Sequence, residues 1–561
     1  MRSIKALTFL LIVFCAGCAK KGINDTLVPV GGINSPASSI RLFNFYGFPL
    51  DITVNNIPLT SYGSSGSGVG QGLSLLPSGV WGYGSSFTIP TTLLDKNGIA
   101  KISVQVRGTP VANFPTLKPS DTSMPNNPLQ PVDYYLLADG HYHPIPRAIT
   151  GPPQPSSFRV RVINMAARTD DNGLAGPVTV TYADGSPVDP RLSNIATGAS
   201  SDYVDMPYGA YEFKIFVNND HTRQMTEQPA RPNSRADAYG GGFIHYQDQE
   251  ARFTPVRVFK AGGFYTIFIS QNLYDYSDNY GGPPEGGPIW LFENGYRIIT
   301  ENSPPVNSTY AEIQGVNVCP VDGILTMKID GQALGQPLGY GQHTDYSILV
   351  KGTHTVEVDD ASGKKLVQKD ITLYPYDNIS AWAYMKNDTP DICFSATDMS
   401  TVATNIQLKF LNLCSGLPYL TFTNDVSLFT NNTTTNGIDS ATNNIPLGVP
   451  VYTTPYERWP RDLSGGKVGA SVEPMSNPFS LKLRAFQSDI GPPVILPGSF
   501  LDQVTPLTEQ VFIANPDLYA SGFYTPAPPE PGAYTIALIG KLQAQKGDPF
   551  APRIFVLKHN K

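Results

Sequence analysis

Apolar and polar residues alternate in short runs along most of the chain, and four of these runs end in asparagine: Ile40–Asn44, Val160–Asn164, Ile313–Asn317 and Leu408–Asn412. Alternation with period two, rich in β-branched residues, is the pattern of a strand with one face buried. A second alternating run follows each: Leu50–Val54, Val178–Tyr182, Leu325–Ile329 and Leu420–Thr423. Asp184-Gly185 and Asp330-Gly331 then supply residues that tolerate the left-handed backbone of a tight hairpin turn.

The later part of each unit recurs as well. A glycine turn opens a further alternating strand at Gly209–Ile215 and at Gly352–Val358. An aromatic-rich strand closes each unit: Asp133–Leu137, Phe264–Ile269, Ile379–Tyr384 and Ala533–Leu538. The four asparagines are unevenly spaced, which is expected of equal cores with unequal loops, since loops accept insertions that strands do not. Short strands with frequent turns and no long helical period predict an all-β chain of tandem Ig-like antiparallel β-sandwich domains. The units fall at residues 40–150, 156–305, 310–400 and 404–561, the second and fourth with long insertions. The strand ending in Asn, the "V-x-V-D-G"-like second strand, the polar stretch with Tyr, the Gly turn and the "Y-T-I" strand together resemble the DUF4397 family of extracytoplasmic domains. Residues 310–400 carry that resemblance best. It implies a sandwich fold and no catalytic residues.

Arg2 and Lys5 precede the apolar stretch Ala6–Phe14, which suits a signal peptide and is too short to span a bilayer as a helix. The following Cys15-Ala16-Gly17-Cys18 resembles a bacterial lipobox. That resemblance implies a signal peptide over 1–17, acylation of Cys18 (palmitate among the chains), and a Gly-, Asn-, Pro- and Ser-rich tether over 18–39. More than one acyl chain makes a lasting membrane anchor. The general design is similar to surface lipoproteins of Bacteroidetes, which implies the outer membrane. The acidic residues expected after the cysteine for surface export are absent, so the face of the membrane stays open.

Composition narrows function by exclusion. Charged residues are 15% of the chain, Gly and Pro number 52 and 51, and the formal net charge is −7. Such a chain has no electrostatic footprint for nucleic acid and too little charge for long coiled coils. No G-x-S-x-G elbow, H-E-x-x-H helix or P-loop signature occurs. His141 and His143 lack a third ligand nearby, and no cofactor or metal is expected. The chain reads as a non-enzyme, with an unrecognised hydrolase carboxylate pair as the outlying alternative. Beyond Cys15 and Cys18 stand Cys319, Cys393 and Cys414; Cys319 and Cys393 lie in one unit and form a candidate disulfide.

The candidate ligand site lies in the second unit. Gln271–Trp290 places Tyr274, Tyr276, Tyr280 and Trp290 among Asp275, Asp278 and Asn279, read as a Gly/Pro-rich loop. Aromatic faces beside hydrogen-bonding oxygens suit a sugar ring, and also an ordinary protein interface. Two smaller aromatic groups, Trp81 with Tyr83 and Tyr452 with Tyr456 and Trp459, sit in loop-like segments. The expected partners are the membrane, through the lipid anchor, and an extracellular polysaccharide or another envelope protein. A structural or adhesive role, with exposed edge strands open to β-augmentation, is the alternative.

Overall fold

The protein's computed structural model describes residues 36–60, 81–82, 84–106, 122–148, 151–152, 154–167, 175–217, 220–224, 254–276, 289–302, 304–399, 406–424, 444–452, 482–488, 498–512 and 530–561. These residues are all-β: strands joined by turns and short 3₁₀ segments, with no α-helix among them. The chain divides into two compact units, residues 1–44 with 48–147, and residues 45–47 with 148–561.

The strands that matter below are β1 (Ala37–Asn44), β2 (Val132–Leu136), β3 (Tyr142–Pro146), β4 (Ser157–Met165), β5 (Gly209–Tyr211), β6 (Phe264–Tyr276), β7 (Ile289–Thr300), β8 (Tyr310–Asn317), β9 (Asn378–Lys386), β10 (Thr389–Ala396), β11 (Ile406–Ser415), β12 (Gly532–Lys541) and β13 (Arg553–Lys558). One topology appears four times. An opening strand (β1, β4, β8 or β11) pairs with a central strand (β2, β6, β9 or β12), which forms a hairpin with the next (β3, β7, β10 or β13). A second sheet, begun by the run after the asparagine, faces the first: Leu50–Val54, Val178–Thr181, Thr326–Ile329 and Tyr419–Asn424 each open one. The opening and central strands run parallel in all four sandwiches, so these sheets are mixed and not purely antiparallel. A parallel pair needs a long crossover, and the second sheet supplies it.

Each sandwich closes on its own apolar layer. In the second, Val160 and Val162 of β4 and Ile267 and Ile269 of β6 meet Val178, Val180 and Ile215 of the opposite sheet. Ala311 and Ile313 of β8 do the same in the third with Met327, Ile329, Val356 and Val358, and Leu408 and Phe410 of β11 in the fourth with Leu420, Phe422 and Leu483.

The opening strands were expected to bury one face, and they bury both. Three residues before each asparagine stands a polar side chain on the outward face: Arg41, Arg161, Gln314 and Lys409, all buried. One residue before it stands an apolar one, Phe43, Ile163, Val316 or Leu411, also buried. Opposite each polar residue the central strand places another, Asp133, Thr266, Ser380 or Thr535, each fully buried. Burying such groups is tolerable only when they are paired. Arg41 donates to both oxygens of Asp133 at 2.9 and 2.6 Å, Arg161 to Thr266 at 3.0 Å and to Glu301 at 3.1 Å, and Gln314 to Ser380 at 2.9 Å. Lys409 donates to the carbonyl of Ala396 and the hydroxyl of Thr397.

In the third and fourth sandwiches the cover of these outward faces is mutual. Val316, Val318, Trp382, Tyr384 and Cys393 of one pack against Leu411, Leu413, Ala537, Ile539 and Leu557 of the other, with Tyr340, Leu447 and Phe555 at the margin. Trp382 meets Phe555 edge-on at 6.1 Å, and Arg553 lies 4.9 Å over the Tyr340 ring. The two sandwiches therefore share a third apolar layer, as continuous as the layer inside each.

Candidate functional site

The recurring asparagines are part of the framework. All four are buried, and each side-chain amide donates across to the second sheet: Asn44 to the Trp81 carbonyl, Asn164 to Ile195, Asn317 to Leu338 and Asn412 to Ile445, at 2.8 to 3.3 Å. In the first three sandwiches that same carbonyl also pairs with a residue at the start of the facing strand: Leu50 and Val178, which open theirs, and Leu325, just before Thr326–Ile329. The asparagine backbone carbonyl accepts in turn from a glycine with positive φ: Gly84, Gly198, Gly341 and Gly448. Each asparagine thus clips one sheet to the other and offers nothing to a ligand.

The two described ends of the aromatic segment, Gln271–Tyr276 and Ile289–Trp290, are strand where a loop was expected, and residues 277–288 lie outside the described residues. Tyr274, Asp275 and Tyr276 end β6, Trp290 begins β7, and the two strands pair without a break from Tyr265↔Thr300 to Tyr276↔Ile289. Strand β4 pairs with β6 only along Phe264–Ser270. The remaining six pairs, Gln271↔Asn294 to Tyr276↔Ile289, outrun the opening strand as a two-stranded arm. The register sets Asp275 directly opposite Trp290, with Tyr274 and Tyr276 at the positions on either side of Asp275. Asp278 and Tyr280 lie outside the described residues.

The arm is fixed at its base. Asn294 is buried, its amide donates to the Ala167 carbonyl at 2.7 Å, and its side-chain oxygen accepts the Ala167 N–H at 2.9 Å. One side chain thus does the work of a backbone pair and ties β7 to the segment leaving β4. Reading the sequence for aromatic residues missed this asparagine. Its sequence neighbours Glu293 and Arg297 are polar too, so nothing in the strand singles it out.

Other expected groups resolve differently. Cys319, Cys393 and Cys414 are free and buried, so the expected Cys319–Cys393 disulfide is corrected. Cys319 points into the core of the third sandwich, Cys393 into the layer shared with the fourth, where its thiol reaches the Gly448 carbonyl at 3.2 Å. The two thiols thus sit in different apolar layers, and burial pushes each up to about 12. His143 sits 2.8 Å from Asp139, and His141 donates its backbone N–H to the same carboxylate. Among the described residues no three His, Cys, Asp or Glu side chains are grouped to hold a metal. Trp81 is core; Tyr83, Tyr456 and Trp459 lie outside the described residues, as do Cys18 and the segment 18–35, and Tyr452 ends a two-residue strand.

A second polar assembly, unforeseen from the sequence, lies where the second sandwich meets the fourth. Lys214 reaches Glu530 at 2.9 Å, and Lys558 reaches Glu212 at 3.2 Å and Glu530 at 3.6 Å. Burial, then the Glu530 charge, raises the Glu212 carboxyl well above its usual range. Burial acts on Glu530 in the same sense, but Lys558 and Lys214 outweigh it and hold that carboxyl low. Two lysines and two glutamates thus close one buried network, in which loss of Glu530 would leave Lys214 and Lys558 without the carboxylate they share.

Within this framework the third sandwich carries a family signature. Residues 311–423 match DUF4397, a domain of unknown function. The DUF4397 match covers the third sandwich and runs on through β11 and nearly all of the next strand, Tyr419–Asn424. It therefore includes Leu411 and Leu413, which complete the layer on the far side of the third sandwich. No curated protein matches the chain. Among solved structures the chain is similar to the Bacillus anthracis TIE protein, at 11% identity over 62% of this chain and half of that one, with a TM-score of 0.12. It is similar also to a proposed cell adhesion protein from Bacteroides fragilis, at 10% identity over 65% of this chain and 98% of that one, with a TM-score of 0.13.

Proposed function

We propose that the chain is a non-catalytic lipoprotein of the cell envelope, anchored through Cys18, whose sandwiches present a binding arm to an extracellular ligand, a polysaccharide. The observation that carries this reading is the arm itself. Six strand pairs run beyond the sheet that supports them, carry Tyr274, Asp275, Tyr276 and Trp290, and are clamped at the root by Asn294. Backbone pairing fixes the positions of these residues in the chain's fold, which lowers the entropic cost of binding through them. The buried Arg41–Asp133, Arg161–Glu301 and Lys214–Glu530 pairs serve packing, which supports a scaffold more than a reaction centre.

Affinity electrophoresis through polysaccharide-containing gels tests the arm. The parent protein is retarded, and Tyr276→Ala with Trp290→Ala reduces the retardation at least about ten-fold, given the one to three kcal/mol typical of aromatic anchors. Retardation that survives both substitutions removes the arm as the site. A parent protein that no polysaccharide retards, but that captures a second envelope protein through the arm, replaces the sugar reading with the adhesive one. The anchor has its own test: Cys18→Ser releases the protein from the membrane fraction, and retention there overturns the lipoprotein assignment.

A further inference from the structure

Residues 558–561 touch all three sandwiches of the larger unit. Lys561 donates its N–H to the Ala210 carbonyl at 3.1 Å and accepts the Glu212 N–H at 2.7 Å. It thereby pairs backbone to backbone beside β5, which forms a two-stranded sheet with Arg257–Phe259 in the second sandwich. Lys558 enters the Glu212–Glu530 network, and Asn560 accepts the Ala533 N–H of the fourth sandwich. His559 is buried between the other two: Nδ1 lies 2.9 Å from the Tyr346 hydroxyl and 3.2 Å from the Gln314 amide of the third sandwich, and Nε2 lies 2.7 Å from Thr535 of the fourth. Lys561 also faces Asp345 at 3.7 Å.

We infer that residues 558–561 are a strap that locks the second sandwich, and with it the binding arm, onto the third and fourth. Two physical contrasts support this. The layer between the third and fourth sandwiches is broad and apolar, whereas the seam of the second sandwich is mostly polar. Among the described residues its apolar contacts are a small patch of Val256, Met399 and Ala533 with Ala210 against it, and the Tyr208 and Tyr310 rings 6.2 Å apart. A seam held by hydrogen bonds and ion pairs, with little apolar area, opens at lower cost than one held by a packed layer. The covalent connection beside it is suited to act as the pivot. Glu301 and Asn302 are tied back to the second sandwich through Arg161 and Phe264. Asn307 is tied forward through Tyr310 and the Tyr376 hydroxyl, and Pro304 and Pro305 stand between. Strap closed, the three sandwiches move as one body; strap open, the second turns about residues 304–306.

Amide hydrogen exchange on the full chain tests the strap. Lys561→Pro removes the N–H that reaches Ala210, while Lys561→Ala keeps it and serves as the control. The strap predicts at least ten-fold faster exchange in Lys561→Pro at 209–213 and also at 304–312, a stretch that the lost hydrogen bond does not touch. Exchange unchanged in both stretches, or raised only at 209–213, overturns the inference. Should Lys561→Pro also release Val178–Thr181 and Lys214–Val217 in the core of the second sandwich, His559→Ala decides. It leaves the pairing on Ala210 in place, must raise exchange at 304–312 at least three-fold if the strap acts as a unit, and refutes the strap if it does not.

Discussion

At the scale of single residues, the strongest constraint is the asparagine clip between sheets. Asn317 donates its amide N–H to the Leu338 carbonyl and accepts the Cys319 N–H on its side-chain oxygen, so both ends of a buried group are used. Asn317→Ala leaves the buried Cys319 N–H without its acceptor and the Leu338 carbonyl with Leu325 alone, so the full penalty of about 1–3 kcal/mol falls on one group. Chemical denaturation of the full chain should show a loss of about 1–3 kcal/mol in the transition that the third sandwich shares with the fourth. Gly341 and Gly448 accompany these clips with φ of 82° and 74°, and each faces the neighbouring sandwich. A Cβ at Gly448 would collide with the Tyr384 hydroxyl, and one at Gly341 would sit 3.0 Å from the Arg553 guanidinium. Gly448→Ala is therefore expected to be much more damaging than Gly198→Ala, where the backbone strain is the same but no atom lies within 4 Å, and comparing their thermal midpoints checks it. The asparagines were legible because they close an alternating run at a fixed place. Their glycine partners were not, because loops of different length separate the two.

At the scale of strands, alternation correctly marked which positions face each sandwich core, and it misled about the other face. Arg41, Arg161, Gln314 and Lys409 look like solvent positions in a half-buried strand, yet all are enclosed. A polar residue reads the same in sequence whether water or a buried partner satisfies it, and the partner is distant in the chain. The aromatic arm shows a related limit. Gly and Pro suggested a loop, and the strand-forming run of Tyr274–Tyr276 and Ile289–Phe292 was hidden beside them. Glu312, on the outward face of β8, yields a prediction with a definite sign. Burial, relieved in part by Lys561, raises its carboxyl to about 8 from 4.5, against Gly209 and among Tyr208, Tyr211, Tyr346 and Asp345. The folded state then holds a proton that the unfolded state has lost, so stability falls as pH rises from about 4.5 to about 8 and no further above that. Glu312→Gln should remove this fall and gain on the parent progressively over that window, by up to about 5 kcal/mol at pH 9. Denaturant midpoints between pH 5 and pH 9 measure it, and a constant difference across the range contradicts it.

At the scale of the molecule, the fold class and the recurrence of the sandwich were readable in the sequence, whereas the joining of sandwiches was not. Unequal units looked like beads with independent cores. The third and fourth instead bury Trp382, Tyr384, Leu411 and Leu413 in common, and the DUF4397 match extends across that joint. Trp382→Ala empties the centre of the shared layer and strands its Ser395 partner, at about 3–5 kcal/mol. Calorimetry should then resolve the third and fourth sandwiches as two transitions where the parent gives one. A single transition in the variant would mean that the strands on either side, and not the layer, hold the pair together.

The strap brings Lys558 to Glu212 across 346 residues of sequence, and that separation has a consequence for how the chain is made. Closing so long a loop carries an entropic cost that only the finished contacts repay. When the second sandwich emerges from a ribosome or a translocation channel, Glu212 and Lys214 have no lysine or glutamate to meet, and their burial must wait for several hundred further residues. The second sandwich is thus the early product that matures last. In that interval its exposed β5 edge and acidic–basic pair are the surfaces an escorting chaperone would find open.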